Sequence, residues 1–130
     1  MVVDSSAVIA ILIGEAESLR YVSCIAAAQR PQISMVSVIE VAAVSLARLR
    51  MSFANVLTFL GDARVAPVSV DERQMRLAGD ALERFGRGRH PARLNFGDCF
   101  SYALARALDE PLLFKGEDFG RTDVVPALGP

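Results

Sequence analysis

Apolar residues in this chain fall into short runs, several closed by an acid, and between those runs they recur at three- and four-residue spacing. Residues 1–3 are a continuous apolar run and read as a buried strand. Asp4, Ser5 and Ser6 are N-cap residues for a helix over residues 7–12 that Gly14 ends. Leu19, Val22, Ile25 and Ala26 put one apolar stripe on a helix over residues 15–28, stopped by Pro31. A second strand is predicted at 32–36. It leads into a helix over about 37–50 that is apolar almost all round, hence buried on most sides, with Glu40 its only charge before Arg48. Phe53, Val56, Leu57 and Leu60 mark a helix within 51–60, closed by Gly61. Residues 64–70 read as a strand that Pro67 confines to a sheet edge. Asp71 caps a helix to about Phe85 with Met75, Ala78 and Leu82 facing inward, and 86–94 is a loop with two glycines and Pro91. Phe100, Ala103, Leu104, Ala107 and Leu108 give the next helix an apolar face. A short buried strand follows at 111–114, and Val124-Val125 forms a last one.

Strands that alternate with helices imply right-handed crossovers and a mostly parallel sheet with helices on both faces, an α/β fold in one domain over residues 1–130. The carboxyl ends of such strands share one edge with the starts of the following helices, and ligands sit there. Asp4, the turn from Ser37 to Glu40 and Asp118 fall at that edge, and Asp98 joins them if its helix starts on the same side.

Hydrophobic residues make up 52% of the chain, a surplus that suggests an apolar surface for a partner. No run is long enough for a membrane span, and the N-terminal segment has no basic region of the signal-peptide kind. Cys24 and Cys99 have neither framework nor metal-ligand spacing, as expected of small buried hydrophobes in a reducing cytosol. The net charge of −1 says little. Its distribution says more, because Arg84, Arg87, Arg89, His90 and Arg93 form an acid-free basic segment just ahead of Asp98.

Each acid has an ordinary explanation when taken singly. Asp4 can cap a helix, Ser37-x-x-Glu40 and Asn95-x-x-Asp98 have the form of capping boxes, and Asp118 after Gly116 can be a turn residue. Together they are harder to dismiss. Carboxylates about 5 Å apart at an effective dielectric near 20 repel by about 3 kcal/mol per pair. Capping returns only about 1 kcal/mol each, so a divalent cation is expected among them. Oxygen donors without cysteine or histidine select a hard ion, Mg²⁺ or Mn²⁺, of the kind that readies a water for attack on a phosphoryl centre. The arginines would fork onto phosphate oxygens of a polyanion held beside it, on a loop that Gly86 and Gly88 leave free to move. The ordinary reading of that segment is a solvated loop, with His90 a surface histidine and Lys115 solvated.

Val-Val-Asp4-Ser-Ser6-Ala, Ser37-Val-Ile-Glu40, Asn95-Phe-Gly-Asp98-Cys and Leu-Leu-Phe-Lys-Gly-Glu-Asp118-Phe, in this order, resemble the PIN-domain ribonucleases, and within them the VapC toxins of bacterial toxin–antitoxin pairs. The resemblance runs from the first strand to Asp123. It implies a PIN-like three-layer sandwich and an endoribonuclease dependent on Mg²⁺ or Mn²⁺, with its site on Asp4, Glu40, Asp98 and Asp118. Ser6 matches the family's small hydroxyl near the first acid. Ser37, Asn95 and Glu117 are expected as supporting neighbours, and Arg87, Arg89 and Arg93 as RNA contacts. Many members carry Thr-x-Asp or Thr-x-Asn before the last acid; here those positions are Phe114 and Gly116, so the fourth ligand is Asp118 or, as the alternative, Glu117. The resemblance further implies a VapB-type antitoxin whose tail fills the acidic groove, commonly with dimerisation. The apolar surplus at Leu46, Leu49, Phe53, Leu57 and Phe59 is the expected contact.

Two other classes compete. A receiver-like phosphoacceptor domain would use Asp71 and Lys115, but the first strand lacks the acid pair such a domain needs, since Asp4 is followed by two serines. A binding module that keeps the acids for capping alone would show no pH-dependent stabilisation by a metal.

Overall fold

Val2 and Val3 make up the whole of strand β1 (Val2–Val3), yet this dipeptide divides the molecule. In the computed structural model, which describes residues 1–129, both side chains are fully buried but in different cores, as the two-residue period of a strand requires. Strand β4 (Leu112–Leu113) does the same beside it, in parallel register Val2 to Leu112 and Val3 to Leu113. Val2 and Leu112 join one core with Phe85, Tyr102 and Leu104. Val3 and Leu113 join the other with Val8, Ile25, Val41 and Leu60.

Strands β2 (Gln32–Ser34) and β3 (Ala66–Val68) complete a four-stranded parallel sheet in the order β3-β2-β1-β4. Pro67 sits on the edge strand, as its missing N–H demands. Among the described residues the tail forms no separate strand. It makes a single parallel bridge to β4 through Leu112 and Pro126.

Helices α1 (Ser5–Leu12), α2 (Ser18–Ala27), α3 (Met35–Leu49) and α4 (Phe53–Asp62) cover one face, and α5 (Glu72–Phe85) and α6 (Phe96–Leu108) the other. This is the three-layer α/β sandwich expected of the sequence. Successive strands move outward from β1 to β3, and the chain then returns to place β4 on the far side of β1. The carboxyl end of β1 is therefore where strand order reverses, the position at which open α/β sheets bind ligands. Among the described residues no helix is long and apolar enough to cross a membrane.

Three helix faces differ from the reading of the sequence. On α2 the buried stripe is Tyr21 and Ile25, while Leu19 and Val22 are exposed. On α5 it is Gln74, Ala78, Ala81 and Phe85, with Met75 and Leu82 outside. Small alanines let α5 lie close against α6, so the larger side chains are displaced to the rim. Helix α3 buries Ser37, Val38, Val41, Ala42 and Ser45 but leaves Ile39, Leu46 and Leu49 in solvent, so it is covered on one side only.

Candidate active site

Asp4 leaves β1 as the N-cap of α1 and is 1% exposed. Its Oδ2 accepts hydrogen bonds from the Ser6 backbone N–H at 2.9 Å and Ser6 Oγ at 2.6 Å, and its Oδ1 accepts from Ser101 Oγ at 2.5 Å. Capping and burial thus coexist in one residue. The backbone N–H of Lys115 donates to Ser6 Oγ at 3.0 Å, which ties the segment after β4 to the start of α1.

Glu40 reaches the same region from α3. Ser34, not Ser37, caps that helix, accepting from the Val36 N–H at 3.3 Å, so no Ser37–Glu40 capping box forms. Ser37 turns inward one step later and is fully buried, its Oγ 3.0 Å from Ser101 Oγ. The Glu40 carboxylate lies directly over Gly97 of α6; a Cβ at Gly97 would stand 1.8 Å from Glu40 Oε1. Glu40 Oε2 is buried and has no hydrogen-bond partner among the described residues. Burial first, then repulsion from Asp4, raises the Glu40 pKa; Ser5 beside it eases this in part, though no hydrogen bond of ordinary geometry reaches Oε2.

Asp98 closes a true capping box, with the Asn95 N–H donating to Asp98 Oδ2 at 2.8 Å and the Asp98 N–H donating to Asn95 Oδ1 at 2.9 Å. Its carboxyl is pushed up to about 7, by desolvation first and then by the charges of Asp4, Glu40 and Asp118, against the lowering effect of the Asn95 hydrogen bond. Asp98 thus lies within electrostatic reach of the other three sequence-predicted acids, and Glu40 within reach of Asp4. Asp118, exposed at the head of a short 3₁₀ turn (Phe119–Arg121), is the acid of its segment whose charge reaches Asp98. Glu117 instead pairs with Arg121 at 2.9 Å and points that charge elsewhere.

The basic segment is less uniform than its sequence suggests. Arg84 is drawn off by Asp80 and Asp123, at 3.0 and 3.1 Å, and does not face the acids as a free cation. His90 is structural, its Nδ1 accepting from the Ala92 N–H at 3.1 Å and its ring edge-on to Phe85. Gly86 supplies close approach rather than motion, because a Cβ there would stand 2.2 Å from the Leu82 carbonyl oxygen. Arg87, Arg89 and Arg93 remain exposed. A hydrogen bond from Arg121 to the Pro91 carbonyl, 3.3 Å, places their loop beside the turn that Asp118 opens. Asp71 caps α5 by accepting from the Gln74 N–H, and Lys115 is ion-paired with Glu15, so the phosphoacceptor arrangement does not exist.

Among the described residues no three acidic, histidine or thiol side chains make a ready ligand set for a metal. The donor chemistry still suits a hard cation. Every candidate ligand is a carboxylate oxygen, one of them is buried without a partner, and two of the acids have raised pKa values through burial and the neighbouring negative charges. A concavity lined by Arg20, Tyr21 and Phe114 contains none of these acids. The site is therefore located by charge and burial rather than by volume.

Sequence reasoning missed Ser101 and the role of Gly97. A serine one turn beyond Asp98 in a helix of small and apolar residues carries no signal of its own, and a helical glycine reads as a weak helix former.

A parallel sheet with acids gathered where strand order reverses defines a class, and the PIN-domain profile matches residues 1–125. The chain belongs to the PIN-domain family. It is 45% identical over 130 residues to a protein named Ribonuclease VapC28 from Mycobacterium tuberculosis, covering 98% of each chain. Among solved structures it is similar to Mycobacterium tuberculosis VapC20, titled a Sarcin-Ricin loop cleaving toxin (TM-score 0.78, 17% identity, 99% of this chain and 98% of that one). It is also similar to a chain of a toxin–antitoxin complex from Klebsiella pneumoniae (TM-score 0.72, 15% identity, 98% and 97%).

Proposed function

We propose that this chain is an endoribonuclease dependent on Mg²⁺, with Mn²⁺ able to substitute, and that it acts in the cytosol as the toxin of a toxin–antitoxin pair. The observation that supports the reading is that Asp98 lies within electrostatic reach of Asp4, Glu40 and Asp118, with Glu40 Oε2 buried and unpartnered. The relatives' name, ribonuclease, supports the reaction class. Asp4 and Asp98 are the principal ligands, while Glu40 and Asp118 position the attacking water or a second ion. A bound Mg²⁺ would supply an activated water and take up charge on the phosphoryl oxygens. Arg87, Arg89 and Arg93 hold the RNA backbone, since guanidinium groups bind phosphate in fork geometry. Hydrolysis in line would leave 5′-phosphate ends.

The partner is a VapB-type antitoxin, and a second copy of the chain is expected as well. The exposed apolar side of α3 and α4, with Leu46, Leu49, Phe53 and Leu57, is the surface offered. Phe59 does not belong to it, because it packs on the core of its own chain.

The test is cleavage of a panel of ribosomal, transfer and messenger RNAs with and without Mg²⁺, mapping the cut ends, alongside Asp98→Asn. Expected are Mg²⁺-dependent cuts that vanish in a folded Asp98→Asn protein. Undiminished cleavage by that variant, or by wild type in chelator, removes the reading.

A further inference from the structure

We infer that Ser101 is a positioning residue for the metal site, and that Ser37 supports it through a directed hydroxyl chain. The inference rests on the metal-dependent reading above; Ser101 has no part in that reading, and Ser37 enters it only as an expected supporting neighbour. Ser101 Oγ directs its only proton to Asp4 Oδ1, 2.5 Å away. The 3.0 Å contact with Ser37 must then run the other way, Ser37 donating to Ser101. Both hydroxyls are fully buried and the carboxylate is 1% exposed, so no water is at hand to replace either donor.

A carboxylate offers about four lone-pair sites. On Asp4 Oδ2 both are filled, by the backbone N–H and the hydroxyl of Ser6. On Oδ1 one is filled by Ser101. The single site left to Asp4 is therefore on the same oxygen that Ser101 holds. Ser101 thus sets where the remaining donor lies, and Ser37 keeps the Ser101 hydroxyl turned toward Asp4 instead of toward a carbonyl of its own helix. The chain links α3, α6 and the end of β1, the three elements that carry Glu40, Asp98 and Asp4.

The experiment is Mn²⁺ titration of chelator-stripped protein by calorimetry, with melting temperature as a second readout, on wild type, Ser101→Ala, Ser101→Thr and Ser37→Ala. Loss of a supporting hydrogen bond to a ligand commonly weakens metal affinity about 10–100-fold. Ser101→Ala should bind Mn²⁺ at least about tenfold more weakly, Ser37→Ala about threefold, and Ser101→Thr, which keeps the hydroxyl, within about threefold of wild type. A merely structural serine would lower the melting temperature and leave the Mn²⁺ affinity of the folded protein unchanged, which overturns the inference. Should Ser101→Ala not fold, equal affinities for Ser37→Ala and wild type overturn it instead. Wild type that takes up no Mn²⁺ is a separate outcome, which defeats the metal-dependent reading and this inference with it.

Discussion

Replacing Gly97 with alanine separates the chemistry of this site from its fold. The added Cβ would stand 1.8 Å from Glu40 Oε1, 2.3 Å from its Cδ and 2.6 Å from Oε2, whereas ordinary contact begins near 3.4 Å. The carboxylate must therefore retreat by about 1.6 Å, and it can, because it is the end of a side chain and not backbone. Misplacing a reacting or orienting group by about 1 Å costs on the order of a hundredfold in rate, so cleavage should fall by about that factor or more. Stability should move the other way or hardly at all, since alanine in a helix is favoured over glycine by about 0.5–1 kcal/mol. Gly79→Ala on α5 is the matched control: nothing lies within 4 Å of its Cβ position, and it should stabilise the protein without touching cleavage. The assay is initial cleavage rate at saturating Mg²⁺ paired with urea unfolding of the same preparations. A folded Gly97→Ala protein that cuts within threefold of wild type would refute the placement of Glu40 in the chemistry.

Without metal, the raised Asp98 carboxyl stabilises the fold fully below its ordinary range near 4, and that contribution is lost as pH rises through about 7. The rise in melting temperature on adding Mn²⁺ should accordingly be larger at pH 8 than at pH 5; a pH-independent rise contradicts the account. Tyr102→Phe deletes a hydroxyl that burial and Asp123 push up to about 12 and that donates to Asp123 at 2.8 Å. It should cost about 1 kcal/mol by urea unfolding while cleavage is retained. Phe53→Glu puts a charge on the open side of α4, where Phe53 is 44% exposed, and should weaken self-association or antitoxin capture by at least tenfold in light scattering and titration, leaving the monomer's stability within about 0.5 kcal/mol. Unchanged association would move the contact to another face.

Much of the architecture could be read along the chain. The caps at Asp4, Asp71 and Asn95, the edge position of Pro67 and the alternation of strand and helix all follow from local dihedral and hydrogen-bonding preferences that a few neighbouring residues settle. The positions of Asp4 and Asp98 at helix starts could be read for the same reason, since one caps α1 and the other lies in the first turn of α6. What sequence could not decide is which of two apolar stripes on α2 and α5 turns inward, because that depends on the neighbour each helix meets. Nor could it show that Ser34 caps α3 and frees Ser37, that Glu117 is diverted to Arg121, or that Ser101 reaches Asp4 across 97 positions of chain. Propensity and period act over one or two turns. Desolvation, repulsion and the direction of a buried proton are set by groups far apart in the chain, and only the folded molecule brings those together.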